Sequence, residues 1–198
     1  MHPGIAIIAL WGLWALSWVA ASGWTNRTEK APELTSQAGY RIVLIIGALV
    51  LGVPAHGYAG ALRVWHVNWV EAWVCVALIA AGFAFCWWAR IHLGRFWSSQ
   101  VTRKSDHRVI DTGPYAIVRH PIYTGVLCAV YATAAAKGTV FGICGAIIFT
   151  LGFWMKARLE EKWLSQELGQ NYDAYRLRVP MLLPFGPKPR THSANPPP

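Results

Sequence analysis

Two short stretches hold most of the groups in this chain that could do chemistry. The first is Arg119-His120-Pro121-Ile122-Tyr123, preceded by a Gly113-Pro114-Tyr115 turn; the second is Arg158-Leu159-Glu160-Glu161. Only nine of the 198 residues are acidic, so an adjacent Glu160-Glu161 pair is a marked concentration of negative charge. Proline suits the first turn of a helix, where its missing N–H leaves nothing unpaired. A helix starting at Pro121 therefore presents the N–H groups of Ile122, Tyr123 and Thr124 at the positive end of its dipole, which favours a carboxylate or phosphate. Arg119 and His120 add side-chain donors just before it, and the turn at Gly113-Pro114 brings Tyr115 alongside. The glutamate pair wants a cation. Together the two stretches suit a zwitterion such as an amino-acid group, a description that fits several ligands.

These stretches meet only if the elements carrying them bring them together. Hydrophobic residues make up 55% of the chain and charged ones 14%, with a mean hydropathy of +0.32. Soluble domains carry about 25% charged residues. The deficit and the repeated apolar runs predict an all-α polytopic membrane protein. Five spans are expected, at residues 5–22, 40–62, 69–91, 121–136 and 139–155, with Pro54 kinking or ending the core of the second. The faint cleavage-like Ala20-Ala21-Ser22 follows an amino-terminal segment without Lys or Arg, so the first span reads as retained. Glu71 lies near the start of the third span, where a boundary carboxylate is tolerable.

Residues 136–138 form too short a link for anything but a tight turn, so the last two spans are an antiparallel hairpin. That hairpin places the Arg119–Tyr123 stretch beside Glu160-Glu161. The last span runs on into the aqueous phase, and Gly169 is its expected stop. The long polar connection at 92–120 carries Trp97, Val101, Val109, Ile110, Tyr115 and Val118, as a packed loop would. Three units follow: residues 1–91, three amino-terminal spans; residues 92–185, a core of loop, hairpin and carboxy-terminal amphipathic helix; and residues 186–198, a Pro-rich tail.

Charge placement sets orientation. Five spans put sixteen of the eighteen Lys and Arg residues on one side, leaving only Arg63 and Lys137 on the other. The positive-inside rule then makes the long loop, the candidate site and the carboxy-terminus cytoplasmic, with the amino-terminus outside the cell membrane. The net charge of +9 lies between and after apolar runs without a nucleic-acid-binding pattern, which argues against nucleic acid as a partner. Cys75, Cys86, Cys128 and Cys144 sit in apolar stretches with no C-x-x-C spacing, and the histidines have no ligand spacing, so no metal site is expected. The cysteines read as small buried hydrophobes, and the twelve Trp as a membrane belt.

The Gly113–Gly125 stretch, the hairpin, the Glu160-Glu161 pair, Gly169 with Tyr172 and Tyr175, and Val179-Pro180 occur in an order that resembles the isoprenylcysteine carboxyl methyltransferase family. That family is grouped with the phospholipid methyltransferases among integral-membrane methyltransferases. The resemblance covers roughly residues 80–185 and implies S-adenosylmethionine as cofactor, leaving S-adenosylhomocysteine, in a cytoplasm-facing pocket. By position it implies that His120, Tyr123, Glu160 and Glu161 line that pocket, with Arg119, Gly113 and Tyr115 shaping it. The implied acceptor is lipophilic, a prenylated cysteine carboxylate or a related small molecule, reached from the membrane lipids. Arg158 is the candidate clamp for an acceptor carboxylate, and Glu160 the candidate base for an amine. An N-methyltransferase of a phospholipid or small amphiphile, and a non-catalytic membrane protein with a relic pocket, are the alternative readings.

Overall fold

Local sequence signals fix most of the helix ends. A computed structural model describes residues 2–23, 34–54, 62–94 and 109–185. Helix α1 (Pro3–Ala20) carries proline at its start, and the His2 ring accepts a hydrogen bond from the Gly4 N–H at 3.2 Å. Helix α2 (Leu34–Gly52) stops two residues before Pro54. The residue before a proline is pushed out of the helical region, so the helix ends where Pro54 is expected to break it, and the expected stretch at 55–61 lies outside the described residues. Helix α3 (Trp69–Leu93) begins with a capping box. The Glu71 N–H donates to Asn68 Oδ1 at 2.9 Å, and the Asn68 N–H donates to Glu71 Oε2 at 2.9 Å. Glu71 therefore closes a helix end, a stronger reason for its place than boundary tolerance.

A four-residue turn of helix, α4 (Pro114–Ile117), precedes α5 (Pro121–Lys137), and α6 (Val140–Leu168) returns beside α5. Gly169, at φ 55°, ends α6 and begins α7 (Gln170–Arg178). Among the described residues three helices, α1 with the turn after it, α3 and α6, are long and apolar enough to cross a membrane. Helix α2 contributes a shorter apolar stretch, Gln37–Gly52. The 17 residues of α5 span only about 26 Å, slightly under a bilayer's hydrocarbon core. The chain is an all-α, multi-pass membrane protein, and its outer faces agree. Ile8, Leu16 and Val19 on α1, Val70 on α3 and Ile147 on α6 are all exposed, as lipid-facing side chains are.

Helices α1 and α3 run the same way, with the His2 and Trp69 rings 5.8 Å apart at one end and Arg90 donating to the Ala21 carbonyl at the other. Helix α5 opposes α3, and the two backbones nearly touch at Gly82 and Gly125. A methyl group on Gly125 would lie 2.5 Å from the Gly82 carbonyl oxygen, so only glycine permits this crossing. Helix α2 opposes α6, pairing Leu51 with Gly145, Gly47 with Phe149 and Leu44 with Gly152. The α5–α6 turn lies at the end where Lys137 donates to the Leu51 and Val53 carbonyls, satisfying the carboxy-terminal end of α2. The candidate site therefore lies at the opposite end.

Two compositional readings need correction. Trp11, Trp14 and Trp18 do not form a belt but stack with Phe83 and Trp87 between α1 and α3, with centroids 5.0–6.0 Å apart. Trp11 donates to Thr133 at 3.0 Å and Trp87 to Ser17 at 3.1 Å, both inside the bundle. Among the cysteines, Cys75 and Cys86 are buried, whereas Cys128 and Cys144 lie on exposed helix faces, where a small apolar side chain meets lipid at no cost. In the long connection Tyr115 and Val118 are buried and Val109 packs on Tyr172, Tyr175 and Val179, while Trp97 and Val101 lie outside the described residues.

Candidate functional site

The start of α5 is held by chain that comes sixty residues later. The Arg119 N–H donates to the Pro180 carbonyl at 2.9 Å and the His120 N–H to the Met181 carbonyl at 3.1 Å. The Thr124 hydroxyl donates to the Leu182 carbonyl at 2.6 Å. The segment after α7 thus lies across the first turn of α5. Pro121 has no N–H to satisfy, and His120 at the N-cap makes no side-chain cap. Of the three N–H groups expected to be free, that of Thr124 donates to the His120 carbonyl at 3.0 Å, which leaves those of Ile122 and Tyr123 without an intrahelical acceptor.

Arg119 is buried, and two of its three side-chain nitrogens donate within the protein. Its Nε donates to Glu161 Oε1 at 2.6 Å, and its Nη1 donates to the carbonyls of Arg176, at 3.0 Å, and Val179. Glu161 also meets Arg176 Nε at 3.5 Å. This pair fastens α6, α7 and the last segment to α5. The Arg119 expected to offer donors to a ligand is turned to the fold instead, because a buried guanidinium must have its N–H groups answered.

His120 lies between the two glutamates, with Nε2 3.3 Å from Glu161 Oε1 and Nδ1 3.5 Å from Glu160 Oε2. Burial works against its charge, but hydrogen bonds to and attraction from both carboxylates outweigh burial, and its pKa is raised. The Tyr123 hydroxyl donates to Glu160 Oε1 at 2.6 Å. The Tyr123 ring stacks with His120, at 5.2 Å and 4°, and with Phe153, at 4.9 Å.

Arg119, His120, Tyr123, Glu160 and Glu161 are therefore brought together. Gly113 and Tyr115 are placed beside them in the α4 turn, where their contacts are with His92 and Tyr175. The His92 ring packs on Gly113, at φ 57°, and stacks on Tyr115 at 6.4 Å, and the Tyr175 hydroxyl donates to the Tyr115 carbonyl at 2.7 Å. Arg158 is not brought in. It is exposed, with its guanidinium over the Trp154 ring at 5.6 Å. Two residues along a helix is a turn of about 200°, so Arg158 and Glu160 face opposite ways.

Three contributors escaped the sequence reading. Lys156, readable only as a helix-pair partner of Glu160, has its ammonium 4.0 Å from Glu160 Oε1 and over the Tyr123 ring. Arg176 is signalled by nothing but its place after Tyr175. Tyr40, on α2, also lies under the Lys156 ammonium, and no local pattern marks it. Chemically, the arrangement offers a helix N-terminus for an anion, a glutamate for a cation and a stacked aromatic surface, at the boundary of an apolar bundle.

The phospholipid methyltransferase family matches this chain over residues 70–171, just over half of it. The chain is 32% identical over 116 residues to protein-S-isoprenylcysteine O-methyltransferase B of Arabidopsis thaliana, covering 55% of this chain and 51% of that protein. It is 30% identical over 131 residues to methanethiol S-methyltransferase 2 of Bradyrhizobium diazoefficiens, covering 61% and 49%. It is 26% identical over 126 residues to the nickel-cobalt-cadmium resistance protein NccN of Alcaligenes xylosoxydans xylosoxydans, covering 63% and 58%. The chain spans about half the length of the curated relatives it matches.

Proposed function

The chain belongs to the phospholipid methyltransferase family, with isoprenylcysteine O-methyltransferases among its relatives, and from that premise we propose an S-adenosylmethionine-dependent methyltransferase acting on a lipophilic acceptor, the carboxylate of an isoprenylcysteine-like molecule. The observation that carries this reading is the cluster at the start of α5: Glu160 within 3.5 Å of polar atoms of both Tyr123 and His120, inside the matched residues. These residues fit the cofactor's amino-acid end. Its carboxylate suits the first-turn N–H groups of α5 beside His120, and its ammonium suits Glu160. Glu161 serves Arg119 first, so Glu160 is the carboxylate with the greater capacity for a ligand. Gly113 and Tyr115 support the cluster from the α4 turn, and residues 92–185 act as the methyltransferase core on the floor that α3 provides.

When bound, S-adenosylmethionine supplies a methyl group already activated on a sulfonium. The protein's own task is then positioning and exclusion of water. His120, held by both glutamates, fixes the Tyr123 ring by stacking, and Tyr123 fixes Glu160 by its hydroxyl. Arg119 and Glu161 hold the segment at 179–182 over this end of α5. An ionised carboxylate acceptor needs no base, so no residue has to accept a proton.

The test is calorimetric titration of detergent-purified protein with S-adenosylhomocysteine. Glu160→Gln and Tyr123→Phe each weaken binding about tenfold, the worth of one charge-assisted hydrogen bond. Unchanged affinity in both variants removes these residues from the donor site, and no binding to the native protein removes the donor itself. The excess of basic residues at one end supports a cell-membrane orientation with the site cytoplasmic and the amino-terminus outside. An impermeant maleimide applied to intact cells labels a cysteine placed at Trp65 but not one at Phe185; the reverse pattern overturns the orientation.

A further inference from the structure

The family match starts at residue 70, and α2 lies wholly before it, yet α2 reaches the site. Its Tyr40 ring lies 5.7 Å from the Lys156 ammonium, and the Tyr123 ring of α5 lies 5.1 Å from it on the other side. Both distances are within cation–π range, so two aromatic faces hold a largely buried ammonium in place. The ammonium also pairs with Glu160 along the helix. Glu160 Oε1 already accepts the Tyr123 hydroxyl at 2.6 Å, and Lys156 stands off from the same oxygen at 4.0 Å, beyond a hydrogen bond.

The charges of the whole cluster point the same way. Arg119, His120, Lys156 and Arg176 face Glu160 and Glu161, and Arg176 also meets Asp173 at 3.5 Å. With His120 neutral the three cations balance the three carboxylates, and a sulfonium amino acid then leaves the site net positive. Such a site attracts an anion and repels an ammonium. A path for an apolar body adjoins it: the stacked row His120, Tyr123, Phe153 and Phe149, with centroids 5.2, 4.9 and 6.1 Å apart, leads from this boundary into the apolar length of α6. Phe149 and Phe153 are only partly buried.

We propose that Lys156, set between Tyr40 and Tyr123, is the acceptor-binding cation and that it selects an acceptor with an ionised head, a carboxylate or a thiolate, over an amine. This rests on the reading of the cluster as a methyl-donor site. The acceptor's anionic oxygen or sulfur contributes the electron pair of the new bond to the methyl carbon. The bond from that carbon to the sulfonium sulfur breaks, and its electron pair stays on sulfur as a neutral thioether. No proton moves. Lys156 places the head and offsets its charge until transfer.

The experiment measures acceptor kcat and KM with S-adenosylmethionine for the native protein, Lys156→Arg and Lys156→Met, in detergent, with S-adenosylhomocysteine affinity measured on each. The acceptors are an N-acetylated prenylcysteine, a long-chain alkanethiol and a long-chain alkylamine. The expected result is turnover of the carboxylate or the thiol, whichever head the site takes, and not of the amine. In Lys156→Met the acceptor KM rises at least tenfold with kcat and S-adenosylhomocysteine affinity little changed, and Lys156→Arg restores most of the KM. Preference for the amine, turnover of none of the three, an unchanged KM in Lys156→Met, or loss of S-adenosylhomocysteine binding in that variant overturns the assignment. Failure of the native protein to bind S-adenosylhomocysteine overturns instead the donor-site reading beneath it.

Discussion

Replacing Arg119 by methionine removes the ion that joins the start of α5 to three later parts of the chain. The two charged side chains are 2% and 3% exposed, for Arg119 and Glu161 respectively. The substitution deletes the 2.6 Å bond to Glu161 and the donors that serve the Arg176 and Val179 carbonyls. Glu161 is left with His120 at 3.3 Å and Arg176 at 3.5 Å, a partial compensation. Removing one partner of a buried pair costs about 3–5 kcal/mol, and those two neighbours favour the lower end. For a chain of this length about 3 kcal/mol corresponds to a fall in Tm of roughly 6–12 °C. Tryptophan fluorescence during heating in detergent measures it. Limited trypsin digestion at Arg178 gives an independent readout, since the chain after α7 loses the guanidinium bond that holds the Val179 carbonyl. In Arg119→Met/Glu161→Met no carboxylate is stranded, so the double variant recovers about 1 kcal/mol or more relative to the single one. A single variant melting within about 1 °C of the native protein, or a double variant with strictly additive losses, refutes the anchoring role.

Three further outcomes follow from the geometry. His120 has a raised folded-state pKa, so its stabilising contribution is complete below its ordinary value of about 6.5 and is lost as pH rises through the higher folded value; His120→Gln flattens that part of a stability-against-pH profile. Gly125→Ala puts a methyl group 2.5 Å from the Gly82 carbonyl and 2.6 Å from Cys86 Sγ, whereas Gly12→Ala meets nothing within 4 Å. The first loses at least about 1–3 kcal/mol and most of its monodisperse yield on size-exclusion chromatography, while the second keeps both. Lys137→Met leaves the Leu51 and Val53 carbonyls without their cation, costing about 1–2 kcal/mol in thermal unfolding. Because Lys137 is at the far end of the bundle, titration of that variant shows unchanged S-adenosylhomocysteine affinity.

The juxtaposition of the Arg119–Tyr123 stretch with Glu160-Glu161 was legible because the chain between them has one option. Two apolar helices joined at Lys137-Gly138 must lie side by side, which fixes the partners of everything near their other ends. The division of labour inside the cluster was not legible. Whether an arginine serves a ligand or the fold depends on which carbonyls surround it, and those of Arg119 lie 57 and 60 residues away. Tyr40 was hidden for a related reason, since α2 packs on α6 through Gly145 and Gly152, and small-residue contacts between non-consecutive helices leave no periodic mark. The Arg158 assignment neglected helical geometry that the sequence did contain. The end of α2 near Pro54 was legible, though the reach of that proline back to Gly52 was not.

The way the last segment crosses α5 has a bearing on biosynthesis. Arg119 leaves the ribosome 42 residues ahead of Glu161 and 60 ahead of Val179. Through that interval a guanidinium destined for a dry interior has none of its eventual partners, and it must wait at the wet boundary of the membrane. The start of α5 is therefore covered only by late-emerging chain, so a translation product halted before residue 182 can insert its helices and still lack that cover.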